Sequence, residues 1–273
     1  MSSSAPVAVF DSGVGGLSVA REIRALLPAE NLLYIADSAF CPYGARPTEE
    51  VRARSVAIGR YLESRGAKLL VVACNTASGA ALEVLREALT IPVVGLEPAV
   101  KPAVRTTRNG RVGVLATEGT LRSERFARLV RDYADGVEVV AQPGLGLVEL
   151  VEEGEFSGER VRATLDPVLR SLREREVDTV VLGCTHYPFL HEALAEALGP
   201  EVTLLDSAPA IARQTRRVLE ERGLLAEEGA EGWVRMLTTG DPAEEEPVMA
   251  RLWPEPVRAE GVTVQAPSDQ PPS

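Results

Sequence analysis

Basic residues are scarce in this chain of 273 residues: 29 Lys and Arg stand against 40 Asp and Glu, a net charge of −11. Lysine occurs only at 68 and 101, and no Lys/Arg cluster interrupts the pattern. Long-range repulsion therefore argues against a nucleic-acid partner. Long apolar runs are missing too. Stretches such as 69–74 last a handful of residues, far below the roughly 18 needed to cross a bilayer, so neither a membrane span nor a membrane partner is expected. The opening MSSSAPVAVF has no basic n-region and no apolar h-region, which predicts a cytoplasmic protein. Cysteine is limited to Cys41, Cys74 and Cys184, too few and too scattered for a disulfide framework. No CxxC or Cys/His spacing suggests a metal site. Chemistry at these residues is expected to be thiol chemistry.

What is present is an ordinary globular composition, 45% hydrophobic and 25% charged. The length suits two compact units. Short apolar runs recur at 7–10, 32–36, 69–73, 91–95, 112–116, 137–141, 177–182, 202–206 and 234–238. They lack strict alternation, as strands buried on both faces should. The segments between them read as amphipathic helices, with start signals at Thr48, Ser157 and Ser207-Ala208-Pro209. Strand and helix in alternation predict an α/β protein with parallel sheets. The closing APSDQPPS has nothing to bury and is expected to be disordered.

The halves echo one another. LVVACNT at 70–76 reappears as VVLGCTH at 180–186, and AVFDSG at 8–13 is loosely matched by GVLATE at 113–118. This predicts two similar α/β domains related by a pseudo-twofold axis, with the active site in the cleft between them. The first would comprise 1–97 plus 209–265, the second 98–208, with 266–273 as a tail. Each half ends an apolar strand in a cysteine, Cys74 or Cys184, followed by small polar residues. Ligands of open α/β sheets bind at that edge. A helix N-terminus there would favour a thiolate. The first strand runs into Asp11-Ser12-Gly13-Val14-Gly15-Gly16-Leu17-Ser18. Its glycines suit close approach of an anion, but Ser18 breaks a dinucleotide fingerprint and no Walker lysine follows. His186 lies two residues beyond Cys184 and is a candidate for proton transfer, while His191 is expected on a helix surface. Cys41, in the loop 40–44, has no counterpart in the other half and is expected to be a small buried hydrophobe.

DSGVGGLSV (11–19), DSAFCPYG (37–44), ACNTAS (73–78) and LGCTHYP (182–188) resemble, in order, the signature segments of the glutamate racemases, over residues 7 to about 209. One segment departs: Gln142-Pro143-Gly144-Leu145-Gly146 stands where the family commonly has Cys-Pro before an apolar run, and the change bears on the cleft wall. The resemblance implies cofactor-independent interconversion of L- and D-glutamate, supplying D-glutamate for peptidoglycan. It implies Cys74 as the thiol serving D-glutamate, assisted by Asp11, and Cys184 as the thiol serving L-glutamate, assisted by His186, with Glu152 steadying the imidazole. Ser12, Tyr43, Gly44, Asn75, Thr76, Thr117, Thr120 and Thr185, with Asp11 and His186, are the implied substrate cradle. No cofactor and no metal is implied. A monomer and a homodimer both remain open. Competing readings are an aspartate racemase or another two-thiol isomerase or decarboxylase, and a non-catalytic amino-acid-binding protein on the same scaffold. Retention of both cysteines argues against the last.

Overall fold

The structure, a computed structural model, describes residues 3–265. The expected disordered tail, 266–273, lies outside them. Every one of the nine apolar runs overlaps a strand: β1 (Val7–Asp11), β2 (Leu32–Ala36), β3 (Leu69–Val72), β4 (Val93–Gly95), β5 (Arg111–Ala116), β6 (Glu138–Pro143), β7 (Thr179–Gly183), β8 (Thr203–Leu205) and β9 (Val234–Thr238). A tenth, β10 (Ala259–Gly261), has no apolar run to announce it. It forms because β9 offers a free parallel edge.

Two sheets result, ordered β10-β9-β2-β1-β3-β4 and β6-β5-β7-β8. Every pairing in both is parallel. The protein is thus α/β with two parallel-sheet domains. The second sheet repeats the order of the first sheet's β2-β1-β3-β4, with β5 in the place of β1 and β7 in the place of β3. Strands β1, β2, β3 and β7 are buried at every residue. Helices cover both faces, so alternation would leave polar groups unsolvated. Edge strands β6, β8 and β10 are mixed or exposed. Pro143 is tolerated in β6 because an edge strand has a side that needs no donor.

The helix signals locate helices Thr48–Ser64, Glu159–Glu174 and Ala208–Glu221 to within two residues. Ser207 occupies the N-cap position with Pro209 in the first turn, as expected, whereas Pro47 and Gly158 stand at the other two N-caps, and none of the three helices has a side-chain capping bond. Ser207 Oγ instead donates to the carbonyl of Glu97 at 2.6 Å, tying together the two places where the chain passes between the sheets. Helix Ala208–Glu221 then packs along Leu17–Leu26 on the flank of the first sheet. One buried cluster runs through both units, joining Leu17 and Tyr34 of the first to Leu147, Leu150 and Tyr187 of the second. Among the described residues, no helix is long and apolar enough to cross a membrane.

Candidate active site

Parallel register places the two thiols. Phe10 pairs with Val72 and Ala116 with Gly183, so the residues just beyond β3 and β7 emerge beside those just beyond β1 and β5. Cys74 and Cys184 therefore leave equivalent strand ends. They line one cavity, together with Ser12, Asn75, Thr76 and Thr185. Tyr43 and Gly44 close it from the loop after β2, Thr117 and Thr120 from the loop after β5. His186 also lines it, and Pro42, Val148 and Gly183, which were not among the expected site residues, complete the wall. The enclosed volume is about 10 Å³, at the lower limit for one water. Admitting an amino acid requires the walls to move apart. A far larger cavity of about 970 Å³ shares none of these residues.

On the first side, Cys74 caps helix Asn75–Ala88, its sulfur accepting from the Ala77 N–H at 3.4 Å. Ser12 Oγ lies 3.7 Å from the sulfur. Asn75 is buried, and its Oδ1 has no hydrogen-bond partner among the described residues, which leaves an acceptor for a ligand in the cavity it lines. Asp11 is fully buried and stands behind Ser12, not on the cavity wall. Its carboxylate accepts from the Gly16 N–H at 2.6 Å and from Thr185 Oγ1 at 3.2 Å. In this closed cavity its oxygens are turned to the glycine loop, to Thr185 and to the Ser12 hydroxyl at 3.5 Å.

On the second side, Cys184 is followed by a turn and a short 3-10 stretch, Tyr187–Leu190, before helix His191–Leu198. No α-helix N-terminus stands at this thiol, contrary to expectation. Its partner is an imidazole: Cys184 Sγ is 3.5 Å from His186 Nδ1, and His186 Nε2 is 2.5 Å from Glu152 Oε1. Glu152 ends helix Leu147–Glu152 and also accepts from the Val14 N–H at 2.8 Å. The anion that the glycine loop approaches is thus a carboxylate of the protein itself. A Cβ at Gly13 would sit 1.9 Å from Glu152 Oε1, and one at Gly15 would sit 2.2 Å from His186 Nδ1. Those glycines are required by the packing of the two halves. His191 is exposed, as expected.

The hydroxyls of Thr76, Thr117 and Thr120 form a cluster across the halves, with Thr76 2.8 Å from Thr117 and Thr117 donating to Thr120 at 3.0 Å. Tyr43 spends its hydroxyl on Asp37, at 2.5 Å, so only its ring and backbone face the cavity. Asp37 also takes two bonds from Arg54, at 2.8 and 2.6 Å, and this buried pair anchors the loop that presses Gly44 against Thr117. In the departing segment 142–146, Gly144 packs so closely on Tyr187 that a Cβ would fall 2.2 Å from its hydroxyl. Leu145 points outward, 63% exposed.

This constellation has relatives. The family model described as Asp/Glu/hydantoin racemase matches residues 15–215. A glutamate racemase of Pseudomonas paraeruginosa is 53% identical over 251 residues, 92% of this chain and 94% of that protein. The chain belongs to the Asp/Glu/hydantoin racemase family. Two solved glutamate racemases superpose on this family member over nearly its whole length. That of Francisella tularensis, in complex with D-glutamate, is 28% identical, with a TM-score of 0.84 over 96% of this chain and 98% of its own. That of Escherichia coli, in complex with L-glutamate and the activator UDP-MurNAc-Ala, is 38% identical, with a TM-score of 0.83 over 95% and 99%.

Electrostatics differ across this racemase's cleft. Burial pushes the Cys74 thiol well above its ordinary range, the nearby Asp11 charge pushes it further, and the Ala77 N–H opposes both. The helix start does not win at this thiol: desolvation outweighs it. Burial likewise raises Asp11, against the opposing effect of His186. Burial alone would push His186 down, but Cys184, Cys41 and Glu152 overcome it and hold the ring well above its usual value. A protonated ring donates from both nitrogens, which suits a sulfur on one side and a carboxylate on the other. Cys41 is pushed up to about 12, chiefly by burial.

Proposed function

We propose that this racemase interconverts L- and D-glutamate without a cofactor, by a two-base mechanism in which Cys74 and Cys184 act on opposite faces of the α-carbon. The observation that carries the proposal is that both thiols, from equivalent strand ends of two domains, line one cavity. Inversion at the α-carbon needs a base on one face and an acid on the other, because the planar carbanionic intermediate is reprotonated from the side opposite to the loss. From D-glutamate, Cys74 as thiolate removes the α-proton and Cys184 as thiol delivers another. From L-glutamate the roles exchange.

The helpers follow the geometry. Asp11, within reach of the Cys74 thiol and raised by burial, is the base that relieves Cys74 of its proton. A thiol raised by burial is seldom ionised, but its thiolate is the stronger base when formed. His186, held protonated between Cys184 and Glu152, donates to and pairs with the second thiolate, and Glu152 fixes its orientation. Substrate carboxylates are received by Asn75, Thr76, Thr117, Thr120 and Thr185 and by backbone N–H groups of Gly44 and its neighbours, hydrogen bonds that need no lysine or arginine. The relatives' bound D- and L-glutamate support glutamate as the substrate, and D-glutamate for peptidoglycan is the physiological product that reading entails.

The test is circular dichroism of purified protein with L-glutamate, and separately with L-aspartate, in deuterated water with nothing added. Expected is decay of the L-glutamate signal, with product labelled at the α-carbon from the first turnovers and residual substrate still largely protiated. Signal loss with aspartate alone would transfer the assignment to the shorter substrate. Unlabelled early product would show one base returning its own proton and would overturn the two-thiol mechanism.

A further inference from the structure

Cys41 is the one cysteine that the proposed reaction does not use, and the fold gives it company. Its sulfur, a ring nitrogen of His186 and a carboxylate oxygen of Glu152 lie within 4.8 Å of one another. The three come from the loop after β2, the turn after β7 and the end of helix Leu147–Glu152, positions far apart in sequence. That separation is why their spacing showed no metal motif. Gly13 keeps the space beside them clear: a Cβ there would fall 3.0 Å from Cys41 Sγ and 1.9 Å from Glu152 Oε1.

Thiolate, imidazole and carboxylate together form a donor set for a borderline-soft dication such as zinc, and a poor one for magnesium or calcium. Tetrahedral zinc places such donors about 3.3–3.8 Å apart, given bonds of about 2.0–2.3 Å. His186 Nε2 and Glu152 Oε1, now 2.5 Å apart, must open by about 1 Å. Glu152 has the freedom to do this, because it is the last residue of its helix and is 19% exposed where His186 is 2%. Three protein ligands leave the fourth position to water.

We propose that Cys41, His186 and Glu152 form an inhibitory site for a zinc-class cation that bridges the two domains. Coordination displaces the Cys41 thiol proton and the proton shared between His186 and Glu152, both of which leave to solvent, with no change of oxidation state. With the metal on Nε2 the His186–Glu152 bond is lost, and Nδ1, which faces Cys184, can release its proton only by leaving an imidazolate, a far weaker acid than the imidazolium. A cation held by ligands from both domains also keeps the cleft shut. The inhibitory consequence rests on the role given above to His186, whereas the site itself rests on the donor geometry.

The experiment uses the full chain, stripped of metal with a chelator. Cobalt(II), a spectroscopic stand-in for zinc, is titrated into wild type, Cys41→Ala, Cys41→Ser and Cys184→Ala, and glutamate racemisation is followed against added zinc. Expected in wild type is a cobalt–thiolate charge-transfer band saturating at one equivalent, and zinc inhibition that a chelator reverses. Expected in Cys41→Ala is turnover in metal-free buffer, no such band, and a zinc inhibition midpoint raised about tenfold or more. Cys41→Ser preserves the side-chain volume and serves if alanine disturbs the loop. Cys184→Ala should keep the band. No band in wild type, an undiminished band in both Cys41 variants, or equal zinc sensitivity in wild type and those variants would overturn the proposal. The cobalt band does not depend on turnover, so a protein that shows it and loses it with Cys41 but leaves glutamate untouched would retain the site while the substrate assignment fails.

Discussion

The surroundings of Cys74 and of Cys184 differ more than the strands that carry them. Both thiols leave the third strand of the same four-strand order, and Ser12 and Thr117 stand at corresponding ends of β1 and β5. On the Cys74 side, a 14-residue helix begins at the thiol and a buried carboxyl stands behind it. On the Cys184 side, the helix is delayed by a 3-10 turn, and an imidazole held by a carboxylate takes the carboxyl's place. A duplicated scaffold places two thiols at equivalent strand ends, and local chain differences then give each its own polar neighbours. The delayed helix is part of that difference, because the residues of the turn are the ones that bring His186 beside its thiol.

The largest test of the comparison removes each thiol. Cys74→Ala and Cys184→Ala should each lower racemisation in both directions by at least about 10³-fold, with the far-ultraviolet circular dichroism unchanged. Near wild-type turnover in either variant would end the two-base symmetry.

The helpers should break the symmetry in opposite senses. His186→Asn should lower kcat from L-glutamate more than from D-glutamate, and Asp11→Asn should do the reverse, each by about 10²-fold in the affected direction. The equilibrium between enantiomers cannot change, so the ratio of kcat/KM is fixed and the bias must appear in KM as well. Equal effects on kcat and on KM in both directions would show that the helpers serve the pair of thiols jointly.

The contact between the halves can be probed without touching a titratable group. Gly15→Ala places a methyl 2.2 Å from where the His186 ring now lies and should cost about 1–3 kcal/mol in urea unfolding, with most activity lost. Gly110 has positive φ but open space around it, so Gly110→Ala should lose stability through the backbone alone and leave kcat unchanged. If Gly15→Ala behaves like Gly110→Ala, the packing of the loop on His186 is not what places the imidazole.

The smallest effect separates function from stability on the Cys74 side. Asp11 is raised by burial, so the folded protein binds that proton more tightly than the unfolded chain does. Its ionisation therefore costs stability as pH rises above the unfolded carboxyl range. Asp11→Asn should raise the urea midpoint at neutral pH even as activity falls, and the gain should shrink toward pH 4. A less stable variant at neutral pH would show that the bonds from Gly16 and Thr185 outweigh the burial penalty.

Much of this was readable in the chain itself. Strands buried on both faces must be apolar throughout, so β1, β2, β3 and β7 showed as continuous runs, and the shorter runs of five more strands marked them too. The thiols were readable because repetition at 70–76 and 180–186 marked equivalent strand ends. β10 was not readable: Ala259-Glu260-Gly261 carries no strand pattern, and only the exposed edge of β9 makes it one. The helix starts at Thr48 and Ser157 were one residue from the N-cap, and Ser207 was at it, but a tertiary contact turned the Ser207 hydroxyl away from its helix.

Sequence alone settled the fold class, the repeat and the types of residue available for chemistry, because periodicity and strand-end position are properties of neighbours along the chain. Tertiary structure decided what those residues do to one another. Glu152 receives the Val14 N–H across 138 residues, Gly13 and Gly15 exist to let a carboxylate and an imidazole through, Cys41 meets both, and burial outweighs the helix end at Cys74. Distances through space and exclusion of water belong to the packed molecule, and no pattern along the chain encodes either one locally.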